Sequence, residues 1–232
     1  MDKTHYLQFF TKTDQKGDLE THYEDNQITA VNTINFLGLI IDSTLSWKQH
    51  IDSILPRLNR ACFAIRQVKL YMALEALKMI YFSYFHSIMT YGIIFWGNSV
   101  HSQYIFKIQK RVIRLIANLG IRDSCCGAFK ELGILPLYLQ YLYALLMFVA
   151  KNRELFHANT DVHTFDTRYK NDLHLPTAKL KVFYSGIRAY NHLPVNIKDS
   201  SGDVKRFKRV LKAFFKMHSF YSLEEYFNFN LM

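Results

Sequence analysis

Ile34 to Ile51, INFLGLIIDSTLSWKQHI, is the stretch that decides the fold. Its first part, Phe36 to Ile41, is an apolar run with the length and branching of a buried strand. Residues 42 to 44 are short and polar and favour a turn, after which Ser46 can cap a helix that opens at Trp47. The sequence therefore predicts a strand that passes through a turn into a helix.

Gly38, inside the predicted strand, is the first candidate for function. A glycine in a strand often marks a place where another backbone or a ligand comes close. Close packing within the fold is the commoner explanation of such a glycine, so the residue needs support from other parts of the chain.

The chain on both sides of this stretch predicts an α+β fold that is mainly α. Residues 3–10 and 21–31 each contain a short strand, and with residues 34–41 they predict a small antiparallel sheet within about the first 42 residues. Glu24 to Asn26 is expected to form a turn. The rest of the chain is expected to form a helical bundle followed by a C-terminal helical segment.

Apolar spacing predicts helices at 47–72, 73–91, 103–119, 137–152, 179–191 and 205–215. Pro56 predicts a kink or a fresh start in the first helix. The second is apolar nearly all round, which predicts a central position. Gly120 is expected to stop the third, and residues 125–133 to link it to the fourth.

Composition shifts in the polar segment 153–176, which resembles a linker or long loop. We place the main boundary there, near residue 157. The predicted regions are therefore 1–46, 47–157 and 158–232.

The third predicted helix carries a row of basic side chains. Lys107, Lys110, Arg111 and Arg114 recur at spacings of three and four, on a different face from the apolar residues. Such a stripe suits phosphates, although a solvated surface is the commoner explanation of four basic residues on a helix.

The overall charge points to acidic partners. The 232 residues carry a formal net charge of +10, which favours nucleic acid or an anionic membrane surface at long range. Half of the residues are hydrophobic, enough to build a core and to exclude global disorder. The three cysteines give neither a disulfide framework nor a zinc spacing, which indicates a reducing compartment, nuclear or cytoplasmic.

Two stretches without Asp, Glu, Lys or Arg, Met79 to Phe106 and Leu132 to Ala150, resemble membrane spans. Both contain several polar residues, and the second also contains Pro136. Buried helices are therefore the preferred interpretation, with a membrane-associated helical protein kept as the alternative.

Short motifs occur in one combination over nearly the whole chain. They are Phe36-Leu37-Gly38 with Asp42, Leu45, Trp47, His50 and Ile51; Phe85-His86-Ser87 with Tyr91-Gly92 and Trp96-Gly97; Gln109-Lys110-Arg111 with Ile113-Arg114; Asn191 with Leu193-Pro194; and His218 to Phe227. Together they resemble the end of the palm and the start of the thumb in reverse transcriptases of jockey-like non-LTR retrotransposons. The combination is specific, whereas Tyr-Gly, Trp-Gly or Leu-Pro alone occurs by chance in many proteins.

The resemblance implies a role for each region. Residues 1–46 would be a palm remnant, residues 47–157 a thumb-like bundle and residues 158–232 a basic helical region. Phe36, Leu37 and Gly38 resemble the primer grip, a turn that presses on the primer strand near its 3′ end. Lys3, with Thr4, resembles the lysine that neutralises the leaving pyrophosphate.

Polymerase chemistry needs two metal ions held by carboxylates, commonly an adjacent Asp pair. The sequence contains no Asp-Asp dipeptide, so Lys3 would lack the metal ions beside which such a lysine acts, and no catalysis is expected. The parent enzyme would use Mg²⁺. By the same resemblance, the chain would start just downstream of the catalytic carboxylates. The histidines and cysteines have no metal spacing either, and no cofactor or small-molecule substrate is expected.

The function expected from the sequence is that of a non-catalytic reverse transcriptase fragment, in which the thumb helices bind RNA or an RNA–DNA hybrid by its backbone. A membrane-associated helical protein and a remnant with no selected activity are the alternatives.

Overall fold

The computed structural model describes residues 4–10, 21–23, 26–162, 172–176 and 181–229. In these residues all five named strands lie before residue 43, and helices dominate the remainder. The predicted class, α+β and mainly α, is confirmed. The domain boundary near residue 157 stays a prediction.

The strands form two small sheets rather than the single antiparallel sheet that the sequence predicted. Strands β1 (His5–Tyr6), β2 (Thr21–Tyr23) and β3 (Asn26–Ala30) lie in the order β1-β3-β2. β1 pairs with β3 in parallel, and β2 pairs with β3 antiparallel. Strands β4 (Thr33–Phe36) and β5 (Leu39–Asp42) form a separate antiparallel hairpin. The predicted turn at Glu24 to Asn26 falls partly outside the described residues.

The continuous buried strand predicted for Phe36 to Ile41 is wrong, because the chain reverses at Leu37 and Gly38. Both residues have positive φ, 49° and 77°, as a two-residue turn matched to strand twist requires. The tip of the hairpin is open to solvent, with Phe36 58% and Leu37 73% exposed. Only Leu39 and Asp42 of β5 are buried.

The Asp42 carboxylate organises the junction between the hairpin and the first helix. It accepts five hydrogen bonds, from the backbone N–H groups of Thr44, Ser46 and Trp47 and from the hydroxyls of Thr44 and Ser46. Helix α1 (Lys48–Val68) follows, one residue later than predicted, with Trp47 in the left-handed region at φ 63°. The turn predicted from these short polar residues is therefore present, with Asp42 as its centre.

The helix α1 runs through Pro56 without a fresh start, although proline removes one helix hydrogen bond. One face of α1 is buried along its length, through residues that recur at helical spacing: His50, Ile51, Ile54, Leu58, Ala61, Cys62 and Ile65. This continuous packing face holds the helix together across the proline.

The second helical stretch is peripheral, not central. It consists of α2 (Leu74–Ile80), a π-helical segment (Tyr81–His86) and α3 (Ser87–Thr90). One side is buried, through Leu77, Tyr81, Phe85 and Met89, whereas Met79 and Phe82 are 66% and 44% exposed. Its apolar residues are therefore divided between the core and the surface.

The remaining helices are α4 (Ile93–Trp96), α5 (Ser102–Ile116), α6 (Cys126–Leu132), α7 (Leu137–Lys151), α8 (Asn159–Val162), α9 (Lys181–Asn191), α10 (Val195–Lys198), α11 (Val204–His218) and α12 (Leu223–Asn228). Short 3₁₀ turns lie at Arg153–Leu155 and Asp199–Gly202. The third predicted helix ends at Ile116, before the predicted stop at Gly120. Asn118, and not Gly120, takes the left-handed conformation there, with φ 56°. The predicted link at 125–133 contains the helix α6, which Gly133 ends at φ 66°.

Two hydrophobic clusters make up the core, and α7 contributes to both. The first contains Trp47, Ile51 and Trp96 with residues of α5 and α6. The second contains Phe207, Leu211 and residues of α9 and α12. The two clusters are therefore joined through one shared helix.

Gln109 is a buried polar residue that ties α5 to its neighbours. It is 0% exposed, and its amide nitrogen donates to the Tyr81 hydroxyl and to the Leu135 carbonyl, both at 3.0 Å. Its amide oxygen accepts from the Leu137 N–H at 2.9 Å, which caps the start of α7. All the bonds of Gln109 are made inside the protein, so it fixes how α5, α7 and the π-helical segment meet.

Within the described residues, no single helix has the length and hydrophobicity needed to cross a membrane. The pair Cys126–Leu132 and Leu137–Lys151 meets those criteria only jointly, and it is bent by 49°. Most of α7 is buried in the protein.

Candidate nucleic-acid interface

The four basic residues singled out in the sequence lie on α5, where one face of the helix is fixed by the core. Ile105, Ile108 and Val112 are buried, whereas Lys107 and Arg111 are exposed and Lys110 and Arg114 are half-buried. The amphipathic pattern therefore places these cations at the surface, as predicted.

A cleft of about 500 Å³ lies beside this row and includes a fifth cation. It is lined by Lys107, Lys110, Arg111 and Arg114 of α5, by Arg66 of α1 and by the apolar residues Leu115, Leu119 and Ile121. Two helices that are distant in sequence thus bring their positive charges to one concave surface. The apolar lining gives the cleft a wall that a sugar or a base can contact.

The buried thiol of Cys62 lies within reach of the positive charges of both helices. Burial raises the pKa of Cys62, whereas the Arg111 and Arg66 guanidiniums oppose that effect by favouring the thiolate. Both guanidiniums therefore act on the same buried group, one from each helix.

The cations of the cleft are not neutralised by carboxylates in the part of the chain that the structure describes. The ion pairs found there are Lys78 with Glu75 and Lys198 with Asp172, both away from this cleft. Arg114 donates from Nε to the backbone carbonyl of Asp123 at 2.8 Å, which directs its guanidinium without cancelling the charge. Within the described residues the cleft therefore keeps its positive charge, which favours an anion.

Two lysines of the row are positioned by aromatic rings. The Lys107 ammonium lies 5.4 Å from the ring centre of Tyr104, and the Lys110 ammonium lies 4.8 Å from that of Phe106. Such cation–π contacts restrict the long side chains without removing their charge.

The primer-grip-like residues lie elsewhere, at the tip of the β4–β5 hairpin. The Tyr91 hydroxyl donates to the Leu37 carbonyl, and the Tyr91 carbonyl accepts from the Trp96 indole N–H at 2.9 Å. These hydrogen bonds therefore connect the tip to the buried part of the helical region. The apolar side chains of Phe36 and Leu37 are exposed to solvent. Gly38 lines a different cleft from the α5 row, and the two clefts share no lining residue.

Lys3 lies outside the described residues. Among the residues that are described, no group of three or more His, Cys, Asp or Glu side chains could hold a metal ion.

Sequence reasoning missed Arg66. It lies at the edge of the buried face of α1, directly after Ile65, and its local sequence looks like that of any solvated helix. The observation that could have found it is the crossing of α1 with α5, which is a tertiary contact and has no local signal.

Comparisons with protein-family models, with curated proteins and with solved structures found no match to this chain. The site is therefore interpreted from its own geometry and charge.

Proposed function

We propose that this chain binds the backbone of a nucleic acid without catalysis, as a segment similar to the palm end and thumb of a jockey-like reverse transcriptase. The preferred partner is RNA or an RNA–DNA hybrid. The binding surface is the α5 cleft, defined as Arg66 with Lys107, Lys110, Arg111 and Arg114.

The observation that carries this proposal is the gathering of five cations from two helices around one cleft, with no ion pair among the described residues to neutralise them. Holding like charges together costs free energy, and phosphates along a nucleic-acid backbone relieve that repulsion. Lys and Arg contacts to phosphates position a protein on a strand without reading its sequence.

The proposal excludes polymerisation. The sequence has no adjacent Asp pair to hold the two metal ions of a polymerase. Lys3, the residue similar to the leaving-group lysine, would have no metal-bound nucleotide beside it.

The test is the salt dependence of binding to an RNA–DNA hybrid duplex. Each phosphate contact adds about 0.7 to 0.9 to the slope of log affinity against log salt, so the double substitution Lys110→Ala/Arg111→Ala should lower the slope by about two. It should weaken binding to all sequences alike. Helix content measured by circular dichroism should stay unchanged.

Lys208 and Arg209 provide a control, because they are another adjacent Lys-Arg pair on a helix of the same length as α5. Both are exposed, whereas Lys110 is half-buried. The variant Lys208→Ala/Arg209→Ala removes the same net charge and should keep most of the slope. An equal loss in both variants would show that only net charge matters, and no loss in the α5 variant would show that its cations are merely solvated.

A further inference from the structure

The α5 cleft has an apolar side as well as a basic one. Its volume is about 500 Å³, and Leu115, Leu119 and Ile121 lie among its lining residues together with the five cations. Pockets of about 300 to 1,000 Å³ hold drug-sized molecules, so a nucleotide fits in this space. A duplex, whose major groove alone is about 12 Å wide, is too broad to enter and can only lie across the mouth of the cleft.

The large apolar side chains that are most exposed to solvent belong to two loops. Among the residues that the structure describes, Ile121 is the most exposed of them, at 94%, and it lies in the loop between α5 and α6. Tyr71 at 86% and Leu70 at 84% come next, and both lie in the loop between α1 and α2. Single exposed apolar residues are normal, but a group of them indicates a binding surface.

A hydrogen bond joins these two loops beside the cleft. The Lys69 ammonium donates to the side-chain carbonyl of Asn118 at 2.9 Å. Leu70 follows Lys69 directly and comes four residues after Arg66, which lines the cleft. Ile121 comes three residues after Asn118 and lines the cleft itself. The most exposed apolar side chains are therefore gathered at the end of the α5 cleft where α1 and α5 both terminate.

Cations beside exposed apolar side chains suit either an anionic membrane or a nucleic-acid strand with unpaired bases. The arrangement here favours the strand. The cations line a concave space that the flat surface of a bilayer does not enter, and Leu115 and Leu119 lie inside that space with them. An unpaired strand presents phosphates and the apolar faces of its bases together, whereas a duplex stacks its bases inside.

We propose that the α5 cleft holds an unpaired segment of nucleic acid, with its phosphates on the cations and its bases against Leu119, Ile121 and the Leu70-Tyr71 turn. This inference rests on the proposed function and specifies its substrate class. The bound segment is a free single strand or the single-stranded end of an RNA–DNA hybrid, and not the paired part. Because every base has an apolar face, the contact does not depend on sequence.

The test removes the apolar contacts without touching a cation. The double variant Tyr71→Ser/Ile121→Ser changes two exposed side chains, so helix content measured by circular dichroism should stay unchanged. Fluorescence anisotropy measures binding to an unstructured single-stranded RNA and to a blunt RNA–DNA hybrid of the same length, at several salt concentrations. Affinity for the single strand should fall about tenfold or more, and affinity for the blunt hybrid by less than about twofold. The salt slope should stay unchanged, because no phosphate contact is lost.

Two control variants separate these contacts from general effects of substitution. Val195→Ser also replaces an exposed branched aliphatic side chain, 69% exposed, and Val195 does not line the α5 cleft. Tyr71→Phe removes the hydroxyl and keeps the aromatic face. Both variants should bind the single strand as the native chain does.

Four results would overturn this inference and leave the proposed function standing. They are native single-strand affinity in Tyr71→Ser/Ile121→Ser, equal weakening with both probes, a lowered salt slope in that variant, and the same loss in Val195→Ser. The proposed function fails separately, if the native chain binds neither probe or if Lys110→Ala/Arg111→Ala keeps the native salt slope. Vesicles of phosphatidylserine and phosphatidylcholine are the last arm. Vesicle binding that the double variant loses, with its single-strand affinity intact, would assign the two loops to a membrane surface instead.

Discussion

Replacing Asp42 with asparagine should loosen the junction between the hairpin and α1. The carboxylate receives three bonds on Oδ1, from the Thr44 N–H and hydroxyl and from the Ser46 N–H, at 2.6 to 3.1 Å. Its Oδ2 receives two more, from the Ser46 hydroxyl at 3.2 Å and the Trp47 N–H at 2.8 Å. The amide oxygen of an asparagine can accept the three bonds that Oδ1 receives. Its NH₂ group would then face the Trp47 N–H, and two donors cannot form a hydrogen bond.

The cost follows from that mismatch. A buried N–H left without an acceptor costs about 1–3 kcal/mol, and charge-assisted bonds become ordinary ones. We expect the free energy of unfolding to fall by about 2–3 kcal/mol. For a chain of this size the midpoint of thermal unfolding should fall by about 4–12 °C.

The pH dependence gives a second signature of Asp42. Burial raises the pKa of this carboxyl, but the hydrogen bonds from Thr44, Ser46 and Trp47 outweigh burial and hold its pKa below the ordinary value of 3.8. Its contribution to stability is thus complete above pH 3.8 and is lost as the pH falls through the lower folded-state pKa. The stability difference between the native chain and Asp42→Asn should therefore be constant near neutral pH and shrink in strong acid.

Urea unfolding from pH 7 down to pH 3 measures both effects. Asp52→Asn is the matched control, because Asp52 is exposed on α1, and it should change the unfolding free energy by no more than about 0.5 kcal/mol. If Asp42→Asn behaves like Asp52→Asn at every pH, the carboxylate does not organise the junction.

Three further predictions concern the core and catalysis. Gln109→Leu leaves three buried groups without hydrogen-bond partners, so the unfolding free energy measured in urea should fall by about 3 kcal/mol. Gln103→Leu, on the exposed side of α5, is the control and should change it little. Gly97→Ala should lower the unfolding free energy by about 2 kcal/mol or more, because the new Cβ would lie 2.7 Å from the Ile93 carbonyl oxygen and 2.6 Å from the Tyr141 ring. An unchanged midpoint of thermal unfolding would contradict this. The purified chain should not extend a primer with any divalent metal, and template-dependent incorporation above a no-protein control would refute that.

The helical part of the fold was predictable because its signal is local. On α11, Phe207, Leu211 and Phe215 are buried while Lys208 and Arg209 are exposed, as the spacing of three and four predicts. The same periodicity placed the α5 cations at the surface.

The hairpin was not predictable, since its turn has no strong signal. Asn-Gly or Asp-Gly marks such turns. Here the first turn position is Leu37, which takes a positive φ that branched apolar residues rarely adopt. An apolar run that reverses in its middle looks the same as one buried strand. Buried polar groups were not predictable from the sequence either. The hydrogen bonds of Gln109, and the lack of a partner for the His50 Nε2 among the described residues, depend on distant segments.

Arg66→Ala, measured by the salt dependence of RNA–DNA hybrid binding, tests the central claim most directly. Arg66 enters the α5 cleft only through the packing of α1 on α5, so its contribution depends on the structure and not on the basic row itself. The predicted result is a slope lower by about 0.7 to 0.9, with Arg60→Ala on the same helix leaving the slope unchanged. A native slope and affinity in Arg66→Ala, or equal losses in both variants, would contradict the account.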